Sequence, residues 1–296
     1  MTNAANLYLA PVPKRLSPRQ GVFQCCGGDA SRYIKLEAED PQALIPAANK
    51  TGLPWEITAS PKASREQIGL LIRLKRTSGI QPEGYKLVIR PERIEITASD
   101  AAGAFYGACT LAQIVRQGDA ETRGRGDAGK QSGKFQIPCV TISDWPDFPA
   151  RGVMLDISRD KAPTMETLYH LIDLLAGWKI NQFQLYTEHT FAYMAHPIVW
   201  EHASPMTGGQ IMALDAYCRE RFIDLVPNQN SFGHMERWLK HDKYRLMAEA
   251  PYGCDTAWGH FDYPFSLAPI DKRSIPFVRG LYEELLPHFT LSLIHI

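Results

Sequence analysis

The sequence predicts an α+β N-terminal domain followed by a truncated (β/α)8 barrel. Three observations carry this expectation. Short strand-like segments recur through the first half of the chain and include one hairpin pattern. A strand–helix–strand pattern then opens at Arg151 and ends in a polar cluster. Finally, the stretch from Arg151 to Ile296 falls well short of the about 250 residues of a complete barrel.

The N-terminal part is taken first. Residues 1–32 are rich in Pro, Gly and Asn with weak periodicity, and are expected to be a loosely ordered lead-in with room for one strand. The α+β domain is placed at 33–143. Its strands are expected at Tyr33 to Leu36, Trp55 to Ala59 and Ile68 to Leu74. Tyr85 to Arg90 and Arg93 to Thr97 alternate in polarity and are joined by Pro91-Glu92, which reads as a hairpin. Asp100 suits an N-cap, and the helix after it sets Phe105, Ala108, Leu111, Ala112 and Val115 on one side. Gly118 is expected to stop that helix. Gly118 to Gly133 has no apolar residue larger than alanine and is expected to be a surface loop. The strand Phe135 to Thr141 then returns to the same sheet.

Asp144-Trp-Pro-Asp-Phe-Pro149, with two prolines, favours an extended crossing between domains, so the barrel portion is placed at 144–290. Val153, Met154 and Leu155 form a short apolar run that suits a strand buried on both faces. Met165, Leu168, Leu171, Ile172 and Leu175 fall at helical spacings, Glu166 sits where the helix dipole favours a negative charge, and Gly177 is expected to end the helix. Ile180 to Tyr186 is the second strand and ends in Thr187-Glu188-His189. In a barrel of such units the chemistry gathers at the C-terminal strand ends. Thr207 and Gln210 form a capping box for the next helix. Ile223 to Val226 is the third strand, Met235 to Glu249 is expected to be helical, and Ser274 to Phe289 is an amphipathic helix. Residues 291–296 are expected to be a non-native tail.

Composition bounds the function. Lys+Arg and Asp+Glu both number 32, so the net charge is +0. That gives no support to a nucleic-acid or anionic-membrane partner. No apolar run reaches the length of a transmembrane helix. The opening residues lack the shape of a signal peptide, and the expected location is cytoplasmic. The six cysteines include no CxxC pair and are expected to be thiols in a reducing compartment, mostly buried.

Two stretches resemble glycoside hydrolase family 20, the β-N-acetylhexosaminidases. The first runs from Glu83-Gly-Tyr-Lys-Leu to Thr97-Ala-Ser-Asp100, with Ala102-Gly-Ala-Phe-Tyr-Gly107 and Thr110-Leu111 after it. It is similar to the end of the family's non-catalytic α+β domain. The second, Asp147 to Arg159, reads Asp-Phe-Pro-Ala-Arg-Gly-Val-Met-Leu-Asp-Ile-Ser-Arg and resembles the opening strand of the family's TIM barrel. Val226-Pro227 with Gly233-His234 resembles the loop after the third strand.

The resemblance implies an enzyme that removes terminal N-acetylhexosamine by retaining hydrolysis, with no cofactor. The substrate's own acetamido oxygen is the nucleophile, one of the exceptions to the carboxylate nucleophile. An Asp orients the acetamide and the adjacent Glu protonates the leaving oxygen. That pair belongs to the fourth strand and is expected beyond Thr290, so no catalytic residue is expected within the chain, which is expected to be inactive by itself. Where the family shows two aspartates and a tryptophan after the second strand, Thr187-Glu188-His189-Thr-Phe191 stands here. Asn228 and Asn230 replace two family carboxylates after the third strand.

Six residues are the expected substrate contacts. By the resemblance, Arg151 matches a sugar-binding arginine and His234 a histidine near the acid. Glu188 and His189 are placed by their position at a strand's end, and Asn228 and Asn230 by the family positions they occupy. Asp156 and Arg159 have two readings, substrate contacts or a pair with each other at the strand end. His189, His196, His202 and His234 fit no standard zinc spacing, and no metal is expected. Of Trp200, Trp238, Trp258, Tyr252 and Tyr263, at most one is expected to stack on a sugar, because core packing explains most tryptophans. Glu283-Glu284 is expected to be a solvated helix face. The rival reading is a carbohydrate-binding relative of the same fold that has lost catalysis; a metal-dependent barrel hydrolase is a weaker third. The partner is a carbohydrate in the first two readings.

Overall fold

The computed structural model describes residues 7–26, 32–58, 67–75, 79–124, 134–159, 161–257 and 259–290. The expected tail at 291–296, Trp258 and most of the expected loop before Gly133 lie outside the described residues. Two units are resolved by their internal contacts. One is Met1–Pro149 with Leu175–Lys179, and the other is Ala150–Leu174 with Ile180–Ile296.

The first unit contains β1 (Arg15–Cys26), β2 (Tyr33–Glu37), α1 (Ile45–Lys50), β3 (Glu56–Thr58), β4 (Ile68–Leu74), β5 (Tyr85–Ile89), β6 (Ile94–Ala98), α2 (Ala101–Gly124) and β7 (Lys134–Asp144). Its strands form a mixed sheet in the order β1-β7-β5-β6-β4-β2-β3. The hairpin expected at Pro91-Glu92 is β5–β6, with Leu87 opposite Ile96. Asp100 caps α2, accepting the Gly103 N–H at 2.8 Å and the Glu83 N–H at 2.7 Å. Phe105, Ala108, Leu111, Ala112 and Val115 are buried on α2, as their spacing requires. Cys109 and Cys139 are buried thiols, and burial pushes Cys109 up to about 11.

Two expectations change here. The stretch read as a loose lead-in with room for one strand holds that strand, β1, but as twelve residues antiparallel to β7 that bury Phe23 and Cys25 and so belong to the domain's sheet. The chain slips register between Pro18 and Val22, which scrambles the period of two that would have revealed the strand. Gly118, read as a helix stop, lies inside α2. A Cβ at Gly118 would stand 2.7 Å from the Gln136 carbonyl oxygen on β7. The glycine is a close-approach residue between helix and strand, and helix formation continues past it because a single glycine weakens a helix by only about 1 kcal/mol.

The second unit contains β8 (Gly152–Asp156), most of α3 (Met165–Gly177), β9 (Gln182–Tyr186), α4 (Pro197–Trp200), α5 (Gly208–Arg219), β10 (Asp224–Val226), α6 (Glu236–Leu239), α7 (Asp242–Arg245), β11 (Cys254–Thr256), β12 (Gly259–Phe261) and α8 (Ser274–Leu285). β8, β9 and β10 form a parallel sheet with β9 in the centre. Phe183 of β9 is paired with Val153 on one side and Leu225 on the other. This is the strand–helix alternation expected of a barrel, present through three strands. Leu168 and Ile172 bury the inner face of α3. Thr207 and Gln210 make the capping box of α5 reciprocally. Val278, Leu281 and Leu285 are the buried stripe of α8, and a 3-10 turn, Leu286–His288, follows it.

Three local readings are corrected. The Val153–Leu155 run is not buried on both faces: Val153 is 36% and Met154 58% exposed. Among the described residues β8 pairs with β9 alone, so it is an edge strand. Met235 to Glu249 is not one helix. α6 and α7 are separated at His241, whose backbone is extended (φ −84, ψ 134). Trp238, Leu239, Tyr244 and Met247 are all buried, and a continuous helix at 3.6 residues per turn would scatter those four around its circumference. The break lets all four turn inward.

The end of α3 is the third correction. Gly177 is still helical, and the left-handed residue is Lys179 (φ 63). Residues Leu175–Lys179 group with the first unit. The buried Lys179 ammonium lies 2.7 Å from Asp144 Oδ2 and 3.0 Å from the Tyr85 hydroxyl. Tyr85 in turn meets the Thr110 hydroxyl at 2.6 Å. Burial first, and then the Asp144 charge, hold the Tyr85 hydroxyl protonated well above its ordinary range.

Candidate active site

β8, β9 and β10 run parallel, so their C-terminal ends deliver Asp156, Tyr186 and Val226 to one side of the sheet, together with the residues that follow them. In a barrel this is the side on which chemistry is built. At its centre is Glu188, two residues beyond β9 and only 4% exposed. A buried carboxylate needs partners. Glu188 Oε1 accepts from the Tyr186 hydroxyl at 3.0 Å and from the Arg159 guanidinium at 3.4 Å. His234 Nδ1 stands 3.8 Å from the same oxygen. Arg159 also reaches the Tyr186 hydroxyl at 3.1 Å and Asp156 Oδ2 at 3.3 Å. The guanidinium thus bridges two carboxylates while its side chain remains 53% exposed. Burial, and then the bond to Glu188, raise the Tyr186 hydroxyl above its ordinary range.

The local backbone explains the clustering. Asp156 Oδ1 accepts the Ser158 N–H at 2.9 Å, turning the chain as β8 ends. The Ser158 hydroxyl then accepts the Glu188 N–H at 2.8 Å and meets the Thr190 hydroxyl at 2.7 Å. The Asn230 N–H donates to the Thr187 carbonyl at 2.9 Å, tying the end of β10 to that of β9. His234, not Gly233, takes the left-handed conformation, with φ 55. A non-glycine residue held there stores strain of order 1–3 kcal/mol, a pattern that clusters at functional sites. The His234 ring packs edge-on against Phe265, 5.0 Å away.

Of the six expected residues, Glu188 and His234 are brought together. Asn230, four residues past β10, has a buried Nδ2 and a side chain that acts on the Tyr186 hydroxyl, lowering its pKa. Asn228 is a brace: Oδ1 accepts the Thr187 N–H at 3.4 Å, and Nδ2 donates to Gln184 Oε1 at 3.3 Å. His189 is half-buried with its Nδ1 unpartnered, and burial, then the charges of Arg237 and Lys240, lower its pKa to about 4. It is therefore a neutral imidazole at physiological pH, with Nδ1 buried.

Arg151 precedes the first residue of β8, at the strand's N-terminal end. Its N–H donates to Asn181 Oδ1 at 2.8 Å, and its carbonyl accepts from the N–H groups of Asn181 and Gln182. A strand of five residues rises about 3.3 Å per residue, which sets Arg151 at the opposite edge of the sheet from Glu188. The arginine at the C-terminal end is Arg159. Its signal in the sequence was its position three residues past Asp156, where the strand has ended.

Other readings resolve as follows. Trp238 is core, fully buried, and its Nε1–H donates to the Glu188 carbonyl at 2.7 Å. Trp200 donates to the Tyr193 carbonyl at 2.8 Å, while Tyr252 and Tyr263 are exposed. His196 meets the Tyr244 hydroxyl at 2.7 Å within an aromatic cluster, and the His202 side chain is 94% exposed. No group of three His, Cys, Asp or Glu among the described residues is placed to hold a metal ion. Glu283 is exposed as expected, but Glu284 is not merely solvated: its carboxylate accepts the N–H groups of Met194 and Ala195, at 2.6 and 3.3 Å.

Comparison with known proteins gives a consistent picture. Residues 6–145 match the model of glycosyl hydrolase family 20, domain 2, and residues 148–296 match that of the family 20 catalytic domain. The chain is 24% identical over 216 residues to a beta-hexosaminidase of Akkermansia muciniphila, a match covering 67% of this chain and 40% of that protein. It is 30% identical over 173 residues to the beta-hexosaminidase subunit beta of Rattus norvegicus, covering 55% and 30%. The chain thus spans less than half the length of these relatives. Among solved structures, the fold is similar to that of the family 20 exo-β-N-acetylglucosaminidase of Vibrio harveyi in complex with N-acetylglucosamine. The TM-score is 0.73 at 18% identity, over 95% of this chain and 45% of that one.

Proposed function

Because the chain belongs to glycosyl hydrolase family 20, we propose that the protein removes terminal N-acetylhexosamine from glycoconjugates. The observation that carries this reading is the buried Glu188 carboxylate, shared by Arg159, Tyr186 and His234 at the C-terminal ends of the barrel strands. Hydroxyl-rich sugars are recognised by charged groups already held in place, since a hydrogen bond to a charged group contributes about 1.5–3 kcal/mol. Glu188 is an acceptor for sugar hydroxyls, and the half-exposed Arg159 is a donor. Asn230 and His189 add a neutral amide beside Tyr186 and a neutral imidazole at the same strand ends. Arg159 joins Arg151, the sugar-binding arginine that the family resemblance implies, as a donor for the substrate.

The reaction we propose is retaining and substrate-assisted. The acetamido oxygen attacks the anomeric carbon, one carboxylate orients the acetamide, and a neighbouring carboxylic acid protonates the leaving oxygen. No Asp-Glu pair stands at the end of β8, β9 or β10. We assign that pair to chain after Thr290, so residues 1–296 bind the sugar but do not turn it over. General acid catalysis contributes typically ~10²–10⁴-fold.

The test compares residues 1–296 with the full-length gene product on a chromogenic N-acetylglucosaminide. Turnover is expected from the full-length protein only. Fragment activity within tenfold of the full-length rate would overturn the placement of the catalytic pair. Sugar binding without turnover by the full-length protein would favour a non-catalytic carbohydrate-binding relative.

A further inference from the structure

Gln229 lies between Asn228 and Asn230, yet neither composition nor spacing marked it. It is 6% exposed. Its amide is almost fully used. Nε2 donates to the Glu188 carbonyl at 2.8 Å and to the Asn230 carbonyl at 2.8 Å, and Oε1 accepts the Tyr193 hydroxyl at 2.7 Å. Its own carbonyl accepts the Tyr282 hydroxyl of α8 at 3.2 Å. One side chain therefore ties together the chain after β9, the chain after β10 and the loop at Tyr193.

We propose that Gln229 is a positioning residue that sets the stance of the Glu188 carboxylate by fixing the Glu188 main chain. Glu188 is anchored through its N–H to Ser158 and through its carbonyl to Gln229 and Trp238. With both peptide groups held, only side-chain rotation remains, and Tyr186 and Arg159 limit that. Trp238 alone cannot replace Gln229, because a single bond leaves the carbonyl free to pivot about it. Leaving the Tyr193 hydroxyl and the Asn230 carbonyl unsatisfied in a buried site adds to the disturbance. The kinetic consequence rests on the proposed sugar-hydrolase reading; the geometric one does not.

Two substitutions separate positioning from bulk packing. Gln229→Leu removes all three bonds at every pH. Gln229→Glu keeps the shape and the acceptor for Tyr193, but its second oxygen faces two carbonyls and can donate only when protonated. Burial raises a carboxyl pKa, so the protonated form is restored as pH falls. In the full-length protein, kcat/KM on an N-acetylglucosaminide is expected to fall at least tenfold for both variants at neutral pH. Relative to the unsubstituted protein at each pH, Gln229→Glu is expected to recover toward pH 5 and Gln229→Leu is not. Folded fraction is followed by circular dichroism at each pH. Crystal structures of both variants supply a readout independent of activity: Glu188 Oε1 is expected to leave its 3.0 Å bond with the Tyr186 hydroxyl. If the unsubstituted protein cleaves no N-acetylglucosaminide, the hydrolase reading fails and the crystal structures alone decide the positioning role. An unmoved Glu188 in both variants, or parallel pH dependence of the two, would overturn it.

Discussion

Replacing Lys179 with methionine is expected to lower stability by ~3–5 kcal/mol, the usual consequence of removing one partner from a buried ion pair. The ammonium sits 2.7 Å from Asp144, and both side chains are 9% exposed. Without it Asp144 would retain the Lys14 N–H at 3.1 Å and the Tyr85 hydroxyl at 3.2 Å, neither of them charged. Those donors place the expected loss near the lower end of the range. Lys179→Gly tests a second term. Lys179 holds φ at 63, and a left-handed conformation disfavours a side-chain-bearing residue by roughly 1–2 kcal/mol. The glycine variant relieves that strain but also empties the space of the buried stem, so it is expected to be at least as destabilised as the methionine variant. Urea midpoints of the three proteins measure both terms. A methionine variant within about 1 kcal/mol of the original would show that the pair's attraction only balances its desolvation.

The second large effect concerns two arginines eight positions apart in one motif. Arg159→Ala in the full-length protein is expected to lower kcat/KM by roughly tenfold to a hundredfold, the equivalent of one charge-assisted hydrogen bond. Arg151→Ala tests the sugar contact that the resemblance implies and is expected to lower sugar affinity more than stability, because its main-chain bonds to Asn181 and Gln182 are kept. Unfolding temperatures of both variants control for folding, since Arg159 also neutralises the buried Glu188. A large kinetic loss in the Arg151 variant with little in the Arg159 variant would move the sugar pocket away from the strand ends.

These arginines show what the sequence could and could not convey. Strand, helix and strand were legible from Val153 to Tyr186 because apolar spacing reports burial, and burial follows from the fold. Glu188 was legible because it follows the last apolar residues of a strand. Arg151 was legible as a motif residue, but a motif does not fix which end of a strand a residue occupies. Asn228 and Asn230 looked equivalent, yet one braces Gln184 and the other acts on the Tyr186 hydroxyl. Gln229 left no trace at all: a glutamine's role depends on three partners 36, 41 and 1 positions away. β1 was hidden by its own register slip, and Gly118 by an ambiguity of glycine, which both ends helices and lets other chains come close.

The edge position of β8 leads to one more consequence. A peptide hydrogen exchanges with solvent through the least costly opening that exposes it, so protection maps local stability. β9 is flanked by strands on both sides, and its hydrogens can exchange only when a neighbour detaches. β8 has one neighbour, and the peptide hydrogens on its outer side meet no strand among the described residues. In deuterated solvent residues 1–296 by themselves should therefore label β8 in an alternating pattern, fast and slow residues following one another from Gly152 to Asp156, while β9 labels slowly along its whole length. The pattern would appear as a ladder in the mass spectra of overlapping peptides, with the deuterium front advancing from the outer rim of the sheet toward Phe183.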